Sequence, residues 1–233
     1  MTETAETLEL GDANPVELSQ NETESLCLKA ARGAGFSWGL AEEAGFAAGA
    51  LAAQGIDGTA SLLSLLTEKL AMAASGGTPR PMPGHWQSAD QRTLCPITLG
   101  AALCDAALLP DGPFGQDTRF DPVAYPILLL PFLVRAAQIS SKPVVIDWQS
   151  GQVRIAANGA FDRQAAMRWT LMKDLAMTLR QATDIKIEQG CNAGLPAISG
   201  ASLDGLNALA LKTTVPATDA SRRGAGSATA DND

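Results

Sequence analysis

An α+β fold is expected from three observations. Residues 18–75 punctuate themselves as three helices with two glycine-ended breaks. Residues 143–156 alternate apolar and polar on both sides of Gln149-Ser150-Gly151, the pattern of a β-hairpin. The stretch after Asp162 repeats its apolar residues at helical spacing as far as about Thr183. Together they predict an N-terminal three-helix lobe, a small mixed β-sheet and a long helix packed on it. The divisions are an acidic mobile arm (1–17), the helical lobe (18–75), an α+β core (76–215) and a Gly/Ala-rich tail (216–233).

The first helix has a start signal with a mechanism. Ser19 is placed to accept from the Glu22 amide, and Glu22 to reach back to the Ser19 amide. Leu18 precedes the cap as a hydrophobic staple. Cys27, Ala30, Ala31 and Ala34 then share a face, and Gly33 and Gly35 supply backbone that ends a helix. Ser37 is a cap for the second helix, whose Leu40, Ala44, Ala47, Ala48 and Leu51 form a face of mostly small residues. Such a face predicts close packing on the first helix. Gly55 ends it, and Ile56-Asp57-Gly58 reads as a turn. Thr59 or Ser61 is expected to cap a third helix with Leu62, Leu63, Leu66 and Leu70 inward.

Beyond the lobe, residues 78–91 read as a Pro/Gly loop carrying His85 and Trp86. Leu94–Thr98 reads as a short buried strand and Leu99–Leu109 as a helix with Leu103 and Leu108 inward, weakened by Gly100. Pro110–Pro122 reads as a long irregular loop, a kind that is often functional. Ile127–Val134 fits a central strand or the start of a buried helix, since periodicity alone does not separate them. In the hairpin, Val144, Ile146, Val153 and Ile155 should share one face, continued by Trp148. Ala165, Trp169, Met172, Ala176 and Leu179 mark the buried face of the long helix. Ile185–Glu188 alternates as a short strand. Ser202 caps a last helix with Leu203, Leu206 and Leu209 or Ala210 inward, ended by Pro216. The polar tail after it has the composition of a disordered segment.

Composition narrows the function. The chain has 233 residues, 46% hydrophobic and 18% charged, enough for one ordinary globular domain. Its net charge is −8 and it shows no basic stripe, which argues against nucleic acid. Aromatics make up only 5%, a poor supply of base-stacking platforms. Residues 1–17 hold five acids and no base, unlike a signal peptide. The apolar run Val123–Val134 is too short to span a bilayer and carries Pro126 and Pro131. A soluble, cytoplasmic protein without a membrane partner is therefore expected. Cys27, Cys95, Cys104 and Cys191 form no C-x-x-C pair and His85 is the single histidine. That is a poor ligand set, so neither a metal nor a cofactor is expected. Buried reduced thiols are expected instead; a Cys95–Cys104 disulfide has no secretory context to support it.

The pattern from Leu18 to Gly45, LSQNETESLCLKAARGAGFSWGLAEEAG, followed by CPITLGAALCDAA and a tail ending DND, resembles an uncharacterised family of bacterial proteins of this length. The resemblance implies a cytoplasmic, metabolic setting. A narrower one covers Leu18–Leu66: helix, GAG break, helix and Gly-Ile-Asp-Gly are similar to the N-terminal helices of type-2 lactate/malate dehydrogenases. That family carries Asp-Ser-His-Gly after its second helix, with an active-site histidine. Here the positions read Asp57-Gly58-Thr59-Ala60. No G-x-G-x-x-G follows a strand either. What this implies is either a shared helical lobe or a coincidence of alanine-rich helices, not dehydrogenase chemistry.

Several residues carry both a chemical and a structural reading. Arg32, beside the amides of Gly33-Ala34-Gly35, suits an anion, or else it belongs to a helix C-cap. Arg222 and Arg223 repeat that pattern in the tail, where they are placed to fold back toward Gly33–Gly35 or to fray. Glu42 and Glu43 suit proton transfer if one is buried, or else they answer the helix dipole; adjacent helical residues point about 100° apart and do not share one proton. Cys95 is a nucleophile only beside a cation, and Arg92 is the nearest in sequence. His85, in its loop, is a site element or a surface histidine. Asp105, after Cys104 on a small-residue helix, is a buried polar group or a ligand contact.

The function expected is recognition of a small anionic metabolite, with or without catalysis. The alternative is a non-catalytic accessory subunit that binds a partner metabolic enzyme through its helical lobe; a homo- or hetero-oligomer is compatible with either. The ligand reading requires a polar-lined pocket bounded by Arg32, the 78–95 segment or the tail, and the subunit reading a broad exposed apolar patch. The ligand set makes one prediction directly. Elemental analysis after dialysis should find well below one zinc per chain, and stoichiometric zinc would overturn it.

Overall fold

The computed structural model describes residues 15–71, 77–90, 92–187 and 194–213. The expectations for Arg222, Arg223, Pro216 and Cys191 lie outside them. Among the described residues seventeen elements follow one another, beginning with β1 (Val16–Glu17) and the helices of the lobe, α1 (Gln20–Gly33), α2 (Trp38–Ala53) and α3 (Thr59–Ala71).

The lobe is built as its local signals predict. Ser19 and Glu22 form the reciprocal capping box that starts α1. Cys27, Ala30, Ala31 and Ala34 are all buried, as are Ala44, Ala47, Ala48 and Leu51 of α2. The small faces let the backbones meet: a Cβ at Gly45 would stand 2.7 Å from the Glu24 carbonyl oxygen. Gly33 is the last residue of α1, and a Cβ there would overlap the Leu209 carbonyl of the last helix. The left-handed residue after α1 is Gly35, at φ +92°. Ser37 occupies the cap position of α2 without a side-chain bond to the helix. At α3 the capping acceptor is neither Thr59 nor Ser61. Asp57 Oδ1 accepts from the Thr59 amide at 2.8 Å, so the carboxylate two residues upstream takes that donor.

The sheet starts where a loop was expected. β2 (Pro79–Arg80) and β3 (His85–Ser88) are strands. Of the strand expected at 94–98, only a bridge from Leu94 to Val123 exists. Pro96 instead occupies the first turn of α4 (Pro96–Asp105), where a missing N–H costs nothing. The helix stops before Leu108, which is exposed. Gly100 serves contact: a Cβ would lie 2.2 Å from the Phe132 ring. The loop read over 110–122 ends early, in β4 (Thr118–Ala124). A 3-10 turn (Pro126–Leu129) and α5 (Leu130–Ser140) settle the 127–134 run as helical, and it is buried as far as Leu133.

The hairpin forms as β5 (Val144–Trp148) and β6 (Gly151–Ile155). Val144 pairs with Ile155 and Ile146 with Val153, and all four side chains are fully buried, with Trp148 continuing the face.

The long helix expected from Asp162 is the main correction. Asp162 does cap α6, accepting from the Ala165 amide, but α6 is only Arg163–Met167. A 3-10 turn (Arg168–Leu171) follows, and Asp174–Gln181 is strand β7. Leu175, Met177 and Leu179 also alternate, so the segment carries both periods, and its Leu, Met and Ala content favoured the helical one. Long-range pairing decides it: β7 bonds to β4 on one side and β5 on the other. Ile185–Ile187 joins no strand. β8 (Ala197–Ile198) pairs with β1, and α7 (Gly200–Leu211) is capped by Ser199, not Ser202, which lies inside the helix. Leu206 and Leu209 are buried.

The fold is thus α+β, with N-terminal helices preceding a six-stranded mixed sheet of order β2-β3-β4-β7-β5-β6. All its joins are antiparallel except β3–β4. One continuous core runs from α1 through α4 and α5 to the sheet. Polar contacts also tie the lobe to the rest: Arg163 donates to the Gln54 and Gly55 carbonyls at 3.1 and 3.0 Å, and Glu68 meets Tyr125 at 2.9 Å and Lys173 at 2.8 Å. Among the described residues no helix is long and apolar enough to cross a membrane.

The contact at Gly100 makes a prediction. Gly100→Ala forces Phe132 to shift in a packed core, so the variant should lose about 1–3 kcal/mol in urea unfolding. A midpoint equal to the parent's would show that α4 and α5 are not in that close contact.

Candidate functional site

Strand alternation puts His85 and Gln87 on one face of β3, and Trp86 and Ser88 on the other. Trp86 packs edge-on against Phe120 in the core, with ring centroids 6.1 Å apart. That anchors β3 beside β4 and leaves His85 and Gln87 at the surface. β4 is irregular between Phe120 and Val123, where Asp121 and Pro122 interrupt its register with β7. An irregularity of this kind re-aims side chains. Asp121 turns toward β3: Oδ1 lies 2.9 Å from His85 Nε2, and Oδ2 accepts from the Ser88 amide at 3.0 Å.

The polar chain continues on both sides. Gln87 Nε2 lies 3.2 Å from His85 Nδ1. With Gln87 presenting its nitrogen, Nδ1 is the acceptor and Nε2 the donor to Asp121. Ser88 Oγ donates to Asp90 Oδ1 at 2.6 Å, and that oxygen also accepts from the amides of Gly77 and Arg92 at 3.4 and 3.3 Å. Asp90 is held below its usual carboxylate range, chiefly by the Ser88 hydroxyl against a burial cost. For Asp121, burial pushes upward. The Ser88 amide and His85 outweigh it, with Arg119 adding, so this carboxyl too sits below its ordinary value.

These residues border an open cleft of about 690 Å³ lined by Gln87, Ser88, Arg92, Thr93, Asp121 and Pro122. Arg92 is the cation among its lining residues. Its guanidinium is half exposed and stands 3.8 Å from Asp90, a loose contact. What the arrangement can do is bind: an ionised carboxylate fixed from behind, an amide, a hydroxyl and an available guanidinium converge on one hollow. Among the described residues no group of three His, Cys, Asp or Glu side chains is placed to hold a metal ion.

The predicted residues are distributed as follows. Arg92 lines the cleft, and His85 stands behind it through Gln87 and Asp121. Cys95 is buried at the start of α4, where its amide donates to the Gly77 carbonyl at 2.9 Å. Arg32 donates to the Phe36 carbonyl and stacks 4.6 Å from the centre of the Trp38 ring, in the turn between α1 and α2. Glu42 is exposed. Glu43 is paired with Arg135 at 3.0 Å. Asp105 is exposed and lines a separate hollow beside Trp86. Cys27, Cys95 and Cys104 are free thiols. Burial pushes the Cys27 thiol up to about 12, with Asp57 adding, and Cys104 up to about 11.

Asp121, Gln87, Ser88 and Asp90 were not singled out from the sequence. Asp121 fell inside the segment read as loop. The signal was present in Arg119-Phe-Asp-Pro-Val123, whose alternation breaks at the one residue unable to donate to a ladder.

Asp121 makes a pH prediction. A carboxyl whose folded pKa is depressed contributes stability that is present above its unfolded pKa, near 4, and lost as pH falls through the folded value. Asp121→Asn should therefore cost about 1–2 kcal/mol at pH 7, and the gap to the parent should close as pH falls below the usual carboxylate range. A gap independent of pH between 7 and 3 would show that the charge of Asp121 contributes nothing.

No curated protein and no solved structure matches the chain significantly. One family model does match, over residues 18–100, a span that covers the lobe, β2, β3, Arg92 and the start of α4 and ends before Asp121. Over that span the chain is similar to a family described as a protein of unknown function (DUF3726), in keeping with the uncharacterised family its sequence resembles.

Proposed function

We propose that this protein recognises a small anionic metabolite in the cleft between β3 and β4. The observation that carries the reading is the lining of that cleft. Its guanidinium, Arg92, is only loosely engaged, while the neighbouring carboxylates are occupied by donors of the chain itself. An anion takes Arg92, and its hydroxyl or amine groups take the outer faces of Gln87, Ser88 and Asp121. The cleft is bounded by the 78–95 segment, one of the three borders, with Arg32 and the tail, that the ligand reading allows.

Binding without catalysis is the form the geometry favours. Both ring nitrogens of His85 are occupied, and Cys95 is buried in a helix cap. A general base needs a free acceptor within reach of its proton, and a nucleophile needs exposure. The subunit reading has less support: among the described residues of the lobe, Trp38 is the one large apolar side chain in the open, and Arg32 stacks on it. The setting proposed with the function is the bacterial cytoplasm, which rests on the family resemblance.

A thermal-shift screen against small carboxylates and phosphates tests this, because a ligand that binds only the native state raises its stability. At least one anion should raise the melting temperature at millimolar concentration. Arg92→Ala should abolish that shift while changing the ligand-free stability by no more than about 0.5 kcal/mol. A shift equal in parent and variant, or none across the panel, would overturn the proposal.

A further inference from the structure

A second hollow, away from the β3–β4 cleft, lies between α2, α5 and the turn after β6. It has a volume of about 330 Å³. Its floor is apolar, with Phe46, Leu51, Leu130 and Phe161 among its walls. Its rim carries Arg135, Gln138 and Asn158. An open hollow of this size, apolar at its floor and edged by a few polar groups, has the form of a small-molecule site.

The rim chemistry is fixed by its own contacts. Gln138 Nε2 donates to the Asn158 carbonyl at 3.1 Å; a carbonyl accepts only from the nitrogen, so Oε1 is the free end. Asn158 Oδ1 accepts from the Ala160 amide at 3.0 Å, so its Nδ2 is the free end. Among the described residues neither free end has a hydrogen-bond partner. Gly159, at φ +87°, keeps the arrangement open, since a Cβ there would stand 2.4 Å from Gln138 Nε2. Arg135 adds a flat wall, its guanidinium carbon 3.4 Å from the centre of the Phe46 ring. Its charge is already answered: Nη1 lies 3.0 and 3.3 Å from the two oxygens of Glu43.

We infer that this hollow is a binding site for a small uncharged molecule with an apolar ring or chain and an amide-like edge. The apolar body fills the floor, and the donor and acceptor of the edge meet Gln138 Oε1 and Asn158 Nδ2. Charge selects against an anion here, because a carboxylate would have to share Arg135 with Glu43 and would find an acceptor where it needs a donor. The inference is independent of the anion cleft: it uses none of its residues, and either can fail alone.

Benzamide and benzoate are probes of nearly equal shape that differ in this edge and in charge. Titration of the ¹⁵N-labelled protein with benzamide should give saturable shifts confined to the backbone amides around Ala50, Gln138 and residues 158–161. Benzoate should bind there at least tenfold more weakly. Gln138→Ala, which removes the acceptor, should weaken benzamide at least fivefold. Ala50→Leu, which fills the hollow, should abolish the shifts, and the dispersion of both variants' spectra reports that they are folded. Equal affinity for the two probes, shifts elsewhere on the protein, benzamide binding unchanged in either folded variant, or no saturable shift in the parent would overturn the assignment.

Discussion

Everything on the sheet depends on β7 lying between β4 and β5. The hairpin β5–β6 is a local structure, and a lone hairpin is marginal in water. On the other side, β4 carries the irregularity that aims Asp121, and its remaining strand partner, β3, is only four residues long. β7 bonds to both. Its Met177 and Leu179 are buried beside Phe120 and Ile146, their cross-strand partners. These side-chain pairs, together with the ladders, make one sheet of two halves.

The helices are held by a different constraint, close approach over small residues. α1 and α2 meet through Gly45 and alanines, α7 closes on α1 at Gly33, and α4 meets Phe132 of α5 at Gly100. At each point a methyl group would have to displace backbone or an aromatic ring. The lobe's stability therefore comes from dense contact between backbones and less from large side chains. Tightly packed helices also give α2 a firm face, against which the hollow lined by Phe46 and Arg135 can keep its shape.

The two hollows differ in charge logic. In the β3–β4 cleft the carboxylates are occupied from behind by Ser88, His85 and backbone amides, which leaves Arg92 available at the front. In the α2–α5 hollow the guanidinium is the occupied group, stacked and paired with Glu43, and the neutral amides are left open. The same residue types thus line the two hollows in opposite states. What separates them is which neighbour already satisfies the charge, a property of packing that residue identity does not reveal.

The sequence by itself determined the lobe, the hairpin face and the caps at Ser19 and Asp162. In each case the signal and its partner lie within a few residues, so local geometry suffices. Tertiary structure decided the rest. Residues 174–181 satisfy two periods, and only pairing with strands distant in sequence chose the strand. Leu108 lies outside because α4, begun early by Pro96, ends at Asp105. Gly100 reads as a weak helix residue until the Phe132 ring is seen above it. Asp121 comes to line the cleft only because Pro122 breaks the β4 ladder beside a parallel neighbour more than thirty residues upstream. Contacts across such distances depend on the whole chain closing, and no window of local periodicity contains them.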